Sequence, residues 1–228
     1  MVRDKRNVIS IILIVLVAAV GARIAQQKYA LVDNDKTTDI ARVEIPRTME
    51  IPEGETCFIV MPKYMVNSSI SDRPIEEYME ELEEANINDE YYENAVANPN
   101  RTVTIEVTGK QLEHLIETTE TILNDYLEKN KEYWEVDISS DFKRITYYVT
   151  AECSFDTWMW GAVPTQGQVA KAQLWIGTAY EDTGLTIEVI GKETGEQVVS
   201  WYVTDVDEER INFTIEEEEW DAKVKGQD

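Results

Sequence analysis

Apolar residues recur at strand and helix spacings along most of this chain. The clearest unit begins with a strand in which Val103, Ile105 and Val107 fall on one face. Thr108 and Gln111 follow at the spacing of a capping box, which predicts the start of a helix. The helix then carries one apolar stripe, made of Leu112, Leu115, Ile116, Thr119, Leu123, Tyr126 and Leu127.

Four further segments complete the regular pattern. The short apolar run Glu55–Met61 predicts a buried strand, and residues 73–85 have the spacing of an amphipathic helix. Alternation predicts one hairpin from residues 134–138 and 145–153, and a second from residues 185–190 and 197–204. We therefore predict an α+β fold, an antiparallel sheet with amphipathic helices packed on one face.

The stripe of the long helix should bury against that single sheet. We expect Leu115, Ile116, Leu123 and Leu127 to be its core residues. The opposing sheet residues are predicted to be Val103, Ile105, Val136, Tyr147 and Val149.

Other segments have weaker patterns. Residues 155–167 are rich in Trp, Gly and Pro and are predicted to be irregular. Residues 168–176 favour a helix that stops at Gly177, although their alternation also fits a strand. A short helical turn is predicted at 89–96 and a last edge strand at 211–215.

The N-terminus has the pattern of an export signal. A basic start precedes the apolar run Val8–Ala22, so we assign residues 1–27 to a signal or transmembrane anchor helix. Two outcomes stay open. Cleavage after Val20-Gly21-Ala22 would give a secreted protein, whereas an uncleaved helix with Arg23 at the interface would give a single-pass membrane protein. Either way the C-terminal domain is expected outside the cytoplasm.

The rest of the chain divides by composition. Residues 28–50 are expected to form a polar stalk, and residues 51–204 the extracytoplasmic α+β domain, which begins near Glu50. Residues 205–228 form an acidic C-terminal segment. With 45 Asp and Glu against 21 Lys and Arg, the net charge of −24 argues against binding to nucleic acid or to anionic lipid headgroups.

A calcium site is one candidate. Asp33–Glu44 resembles the loop of an EF-hand, with oxygens at the first, third, fifth, seventh and twelfth positions. However, Thr38 stands where the turn requires glycine, and Pro46 interrupts the helix that should follow. We therefore expect a solvated acidic stalk rather than a calcium site.

Two catalytic motifs are suggested and set aside. Ser140 and Lys143 match the Ser-x-x-Lys of penicillin-binding enzymes, but they fall in a hairpin turn rather than at a helix start. His114 is the only histidine and lies on the polar face of the long helix, so it is expected to be a solvated surface residue.

The cysteines leave two possibilities. Cys57 and Cys153 could form a disulfide in an exported protein, or each could be a buried thiol in a strand-like run. Asn67, Asn100 and Asn212 are glycosylation acceptors if the host exports through a glycosylating compartment.

The best binding candidate is the aromatic pair Trp158 and Trp160. Exposed, these rings could stack on a sugar or a peptide, but loop aromatics more often cap a core.

No catalytic, cofactor-binding or metal-binding residue is legible, so we expect a non-enzymatic binding or envelope-accessory module with no cofactor. Its expected partners are an extracytoplasmic protein or a glycan, together with the membrane through the N-terminal helix. The alternatives are an envelope-associated hydrolase that uses two carboxylates, and a calcium-responsive surface protein.

Overall fold

A computed structural model describes residues 42–66, 74–204 and 215–226 of the chain. The predicted signal or anchor segment 1–27, the stalk up to residue 41 and most of the calcium-loop candidate lie outside the described residues. So do Asn67, Asn212 and all but the last residue of the predicted edge strand 211–215. Among the described residues, no helix combines the length and apolar character that crossing a membrane requires.

The described strands form two sheets. The first is antiparallel, with the order β1-β3-β2, and its strands are β1 (Thr56–Met61), β2 (Asn94–Ala97) and β3 (Val103–Thr108). The second has the order β4-β5-β6-β7, and its strands are β4 (Trp134–Ile138), β5 (Arg144–Val149), β6 (Leu185–Gly191) and β7 (Gln197–Val203). Only β5 and β6 run parallel to each other in it; its other neighbouring strands are antiparallel.

Five α-helices accompany these sheets in the described part of the chain. They are α1 (Lys63–Val66), α2 (Ile75–Ala85), α3 (Gly109–Lys129), α4 (Phe155–Trp175) and α5 (Glu217–Lys225). Two single 3₁₀ turns lie at Ile87–Asp89 and Tyr180–Asp182. The long helix α3 packs against both β3 and α4, and α5 packs against β6 and β7.

The α+β class with antiparallel pairing and packed helices is confirmed, but the prediction of one sheet is wrong. Val103 and Ile105 lie in the first sheet, whereas Tyr147 and Val149 lie in the second. The division falls at α3, which lies between β3 of the first sheet and β4 of the second. Within the second sheet α4 connects β5 to β6 as a crossover, which makes these two strands parallel neighbours. Alternation shows which residues share a face of a strand, and it carries no information about which strands pair.

The irregular segment predicted at 155–167 is instead the first part of α4, so that prediction is wrong. The Ser154 hydroxyl caps the helix by accepting a hydrogen bond from the backbone N–H of Thr157 at 3.2 Å. Gly161 allows close packing, because a Cβ there would lie 2.5 Å from a ring carbon of Trp134. The helix predicted from residue 168 is confirmed, and it stops before Gly177, whose φ is +91°.

The helical turn predicted at 89–96 is also wrong. A 3₁₀ turn ends at Asp89, and β2 then pairs with β3. Asn86 shapes this region, because its side-chain oxygen accepts hydrogen bonds from the backbone N–H groups of Tyr91 and Tyr92. A tertiary strand pairing therefore overrides the local helix preference.

The packed unit extends beyond residues 51–204 at both ends. Residues 42–50, assigned from sequence to the stalk, lie extended with Ile45 buried. At the other end α5 buries Trp220 and Val224 completely, and the Trp220 indole N–H donates to the carbonyl of Cys153 at 2.8 Å. The segment 205–228 was assigned from its acidic composition alone, and that assignment overlooked two apolar residues one helical turn apart.

Cys57 and Cys153 are separate free cysteines, the first half-buried and the second fully buried. Burial raises the pKa of Cys153 to about 12, which keeps its thiol protonated and unreactive. We expect two alkylated cysteines when the chain is unfolded in iodoacetamide without reductant, as counted by mass spectrometry. A chain that takes up label only after reduction would contradict this result.

The stripe of α3 is buried at Ile116, Leu123 and Leu127, while Leu115 is half-buried. Leu123 has no exposed surface, so Leu123→Ala should lower the free energy of unfolding by about 2–5 kcal/mol. Leu115→Ala, the same change on the same helix, should cost less because that side chain keeps some contact with solvent. Urea denaturation of the two variants measures the difference, and equal losses would contradict the assigned burial.

Candidate functional site

A cavity of about 90 Å³ lies where α2, α3, α4 and the first sheet meet. It is partly open to solvent, and its walls are mostly apolar and aromatic. The lining residues are Met61, Tyr78, Leu82, Ala85, Asn86, Tyr91, Tyr92, Ile105, Leu115, Thr118, Thr119, Ile122, Gln168, Lys171 and Trp175. An apolar pocket with a few polar groups is the usual form of a small-molecule site.

Lys171 is the only charged residue among the described residues that line this cavity. It projects from α4 and is half-buried. Burial lowers its pKa to about 8, because the charged ammonium loses hydration there. Within the described ranges its side chain makes no hydrogen bond or ion pair, although the chain has more than twice as many acidic as basic residues.

Gln168 lies one turn before Lys171 on the same helix and also lines the cavity. Only 3% of its surface is exposed, and its amide has no hydrogen-bond partner among the described residues. The amide atoms keep some accessible surface, since neither is among the fully buried polar atoms that lack a partner in the described residues, so a molecule in the cavity can reach them.

Gln173, on the next turn, shows how a structural glutamine behaves in the same helix. It has no exposed surface, and its amide nitrogen donates to the carbonyls of Phe142 at 2.9 Å and Gly184 at 3.0 Å. Its amide oxygen accepts from the Gly184 N–H at 3.1 Å. Gln173 therefore ties the β4–β5 turn to the start of β6, whereas the Gln168 amide makes no such bond to any described residue.

Other polar groups of the wall are already occupied. The Asn86 amide is held by the backbone of Tyr91 and Tyr92, with its nitrogen donating to the Tyr92 carbonyl at 2.9 Å. The Thr119 hydroxyl accepts from the Trp175 indole N–H at 2.9 Å. These bonds fix the wall, so Lys171 and Gln168 are the polar groups of α4 left to face the cavity.

The lowered pKa of Lys171 should make folding stability depend on pH. Between about 8 and the ordinary lysine value of 10.5, the unfolded chain binds a proton that the folded chain does not. The free energy of unfolding should therefore rise with pH across that window. Lys171→Met should remove this part of the slope, whereas Lys110→Met, at an exposed position of α3, should leave it. Parallel slopes for wild type and Lys171→Met would contradict the assignment.

His114 lies near the cavity, one residue before Leu115 on α3. It was predicted to be a solvated surface residue, but it is only partly exposed. Its Nε2 is 3.3 Å from a carboxylate oxygen of Glu90, and its ring contacts that of Tyr91 in a tilted arrangement, with the ring centroids 4.9 Å apart. It thus joins α3 to the segment before β2, and Glu117, its neighbour on the helix, is not its partner.

The aromatic pair is divided by the structure. Trp158 is buried in the core with 1% exposure, whereas Trp160 is 49% exposed. The two rings therefore do not form one binding platform. Trp158 therefore matches the interpretation in which the aromatic side chain packs on the core.

The remaining candidates gain no site. Ser140 and Lys143 lie in the β4–β5 turn, as expected. Asn100 lies exposed in the turn before β3, where its side-chain oxygen accepts from the Thr102 hydroxyl at 2.8 Å. Across 42–66, 74–204 and 215–226, no three His, Cys, Asp or Glu side chains come close enough to hold a metal ion.

Sequence reasoning missed the cavity, because its walls come from distant parts of the chain. One local signal was present. Lys171 stands between Ala170 and Ala172, and the other residues around it in the helix have apolar or amide side chains. A lysine on the buried face of a helix is uncommon and indicates a special environment.

No protein family, curated protein or solved structure matches this chain at a significant level.

Proposed function

We propose that this chain is an extracytoplasmic, non-enzymatic binding module that holds a small, largely apolar molecule in the Lys171 cavity. The observation that carries the proposal is an apolar cavity lined by two polar side chains, Gln168 and Lys171, that have no partner among the described residues. Such groups fix the orientation of a ligand, while the apolar walls supply affinity.

The lining favours binding over hydrolysis. A carboxylate-based hydrolase needs two acidic side chains facing the same substrate bond. No Asp or Glu is among the described residues that line the cavity. The cavity therefore offers binding groups and one cationic side chain, and the envelope-hydrolase alternative gains no support from it.

The location is proposed from the N-terminal pattern. A basic start before an apolar segment supports delivery of the domain across a membrane, either anchored or released. Added protease should then digest the domain on intact cells from which the outer layers have been removed, while a cytoplasmic marker survives. Protection of the domain until the membrane is lysed would contradict this location.

A cavity-filling variant tests the binding function. A small-molecule fragment library is screened by ligand-observed NMR against the full chain in mild detergent, and hits are repeated with Leu115→Trp. Leu115 is half-buried and lines the cavity, so the larger ring should occupy it and abolish the hits. Circular dichroism checks that the variant folds, and Leu115→Met serves as a near-isosteric control. Hits that survive in a folded Leu115→Trp would place binding elsewhere and overturn the proposal.

A further inference from the structure

We infer that the ligand of this cavity is a short-chain monocarboxylic acid, whose carboxylate meets the Lys171 ammonium and the Gln168 amide. This inference rests on the proposed binding function and specifies its ligand class. Three observations carry it: a cation with no partner among the described residues, an amide donor that also lacks one there and lies three residues earlier on α4, and the size of the apolar space.

The charge of the ligand follows from Lys171. Partial burial of an ammonium removes some of its hydration, and an opposite charge offsets that cost. With a pKa of about 8, this side chain is mostly protonated at neutral pH. A bound anion would therefore complete a pair that the protein leaves open, although acidic residues are abundant elsewhere in the chain.

The geometry of the head group follows from Gln168 and Lys171 together. They stand three residues apart on α4, so both side chains reach the same side of the helix. A carboxylate has two oxygens, which can accept from the ammonium and the amide N–H₂ at once. An alcohol oxygen can also accept two hydrogen bonds, but it carries no negative charge to pair with the ammonium, and a protonated amine would add a second positive charge.

The size of the ligand follows from the cavity. Its volume of about 90 Å³ is below the roughly 150 Å³ of an engineered cavity that takes up benzene. The part of the ligand that the cavity encloses is therefore a short aliphatic chain rather than a ring system. Leu82, Ile105 and Ile122 supply the apolar wall for that chain.

The net charge of −24 does not oppose this assignment. Exposed charges are screened over about 8 Å at physiological ionic strength, so the nearest group dominates inside a pocket. That nearest group is Lys171. Three tyrosines, Tyr78, Tyr91 and Tyr92, also line the cavity. Burial raises the pKa of Tyr92.

The test uses three probes that differ only in head group: pentanoate, pentanamide and pentylamine. Their dissociation constants for the full chain are measured by ligand-observed NMR titration, for wild type, Lys171→Met, Gln168→Leu and the control Lys110→Met. We expect pentanoate to bind best, and Lys171→Met to weaken it about 10- to 100-fold, the usual range for a charge-assisted hydrogen bond. Gln168→Leu should weaken it less, and Lys110→Met should leave it unchanged.

The outcomes separate the two proposals. If pentanamide binds as tightly as pentanoate, and Lys171→Met leaves both unchanged, the carboxylate assignment is overturned while the binding function stands. If none of the probes binds and the fragment screen gives no hit that Leu115→Trp abolishes, the binding function itself fails. Pentanoate affinity should also fall as the pH rises through the value at which Lys171 loses its proton. A flat profile would count against this lysine as the partner.

Discussion

Trp158→Ala should lower the free energy of unfolding by about 3–5 kcal/mol. The Trp158 ring lies within 6.2 Å, centroid to centroid, of four other rings. These rings are Tyr147 of β5, Phe155 of α4, Trp201 of β7 and Trp220 of α5. Because four different elements meet at this ring, its removal leaves a void that no single element can move to fill.

Trp160→Ala is the matched control, since it makes the same change two residues along the same helix. Trp160 is 49% exposed, and its loss should change stability by no more than about 0.5 kcal/mol. Guanidinium denaturation, followed by circular dichroism, measures both variants. Equal losses at the two positions would show that this helix does not bury one tryptophan and expose the other.

The β3–α3 unit was predictable because its signals are local. The Thr108 hydroxyl accepts from the Gln111 N–H at 3.3 Å, and the Gln111 side chain accepts from the Thr108 N–H at 2.8 Å. Four consecutive residues therefore specify where the helix begins. The apolar stripe that follows keeps helical spacing from Leu112 to Leu127, so its buried face could be predicted without knowing its neighbours.

The first half of α4 was not predictable in this way. Gly161, Pro164 and Gly167 all disfavour a helix, and Pro164 lacks the N–H that would bond to the carbonyl of Trp160. Burial of Trp158 and Ala162 compensates for that preference. Such compensation depends on partners such as Trp134, which a window centred on α4 does not contain.

The candidate site illustrates the same limit at the level of function. Gln168 and Lys171 are ordinary residues in a helical pattern, and they become notable only beside walls from α2, α3 and the first sheet. The contrast between Gln168 and Gln173 likewise exists only in three dimensions. Local patterns can place both amides on one helix, but they do not show which one has partners.

A truncation test addresses where the folded unit begins. A chain that starts at Glu50 should be less stable than one that starts at Arg42, by more than the roughly 2–5 kcal/mol expected from losing Ile45 alone. Ile45 is 1% exposed, and the segment around it is held to α3 by its backbone. The Asn124 amide bonds to both the N–H and the carbonyl of Val43, each at 2.9 Å.

The same segment places a charged clamp on α3. The Arg47 guanidinium pairs with Glu113 and Glu120, and Glu120 also accepts from the Ile45 N–H at 2.7 Å. Burial alone would raise the pKa of Glu120, but Arg47 and the Ile45 N–H together lower it. The stability that ionised Glu120 gains from these partners is fully present above the ordinary glutamate pKa. It is lost as the pH falls through the lowered pKa of the folded state.

The two truncated chains differ only in residues 42–49, so their comparison is independent of everything before residue 42. At neutral pH the shorter chain should unfold at a lower temperature and a lower urea concentration. This difference in stability should become smaller in acid, as Glu120 takes up its proton. The chain that starts at Arg42 and carries Arg47→Ala should lose only part of its extra stability over the shorter chain, because Ile45 and Val43 keep their contacts. Equal stability of the two chains would mean that residues 42–49 are a stalk, as their polar composition first indicated.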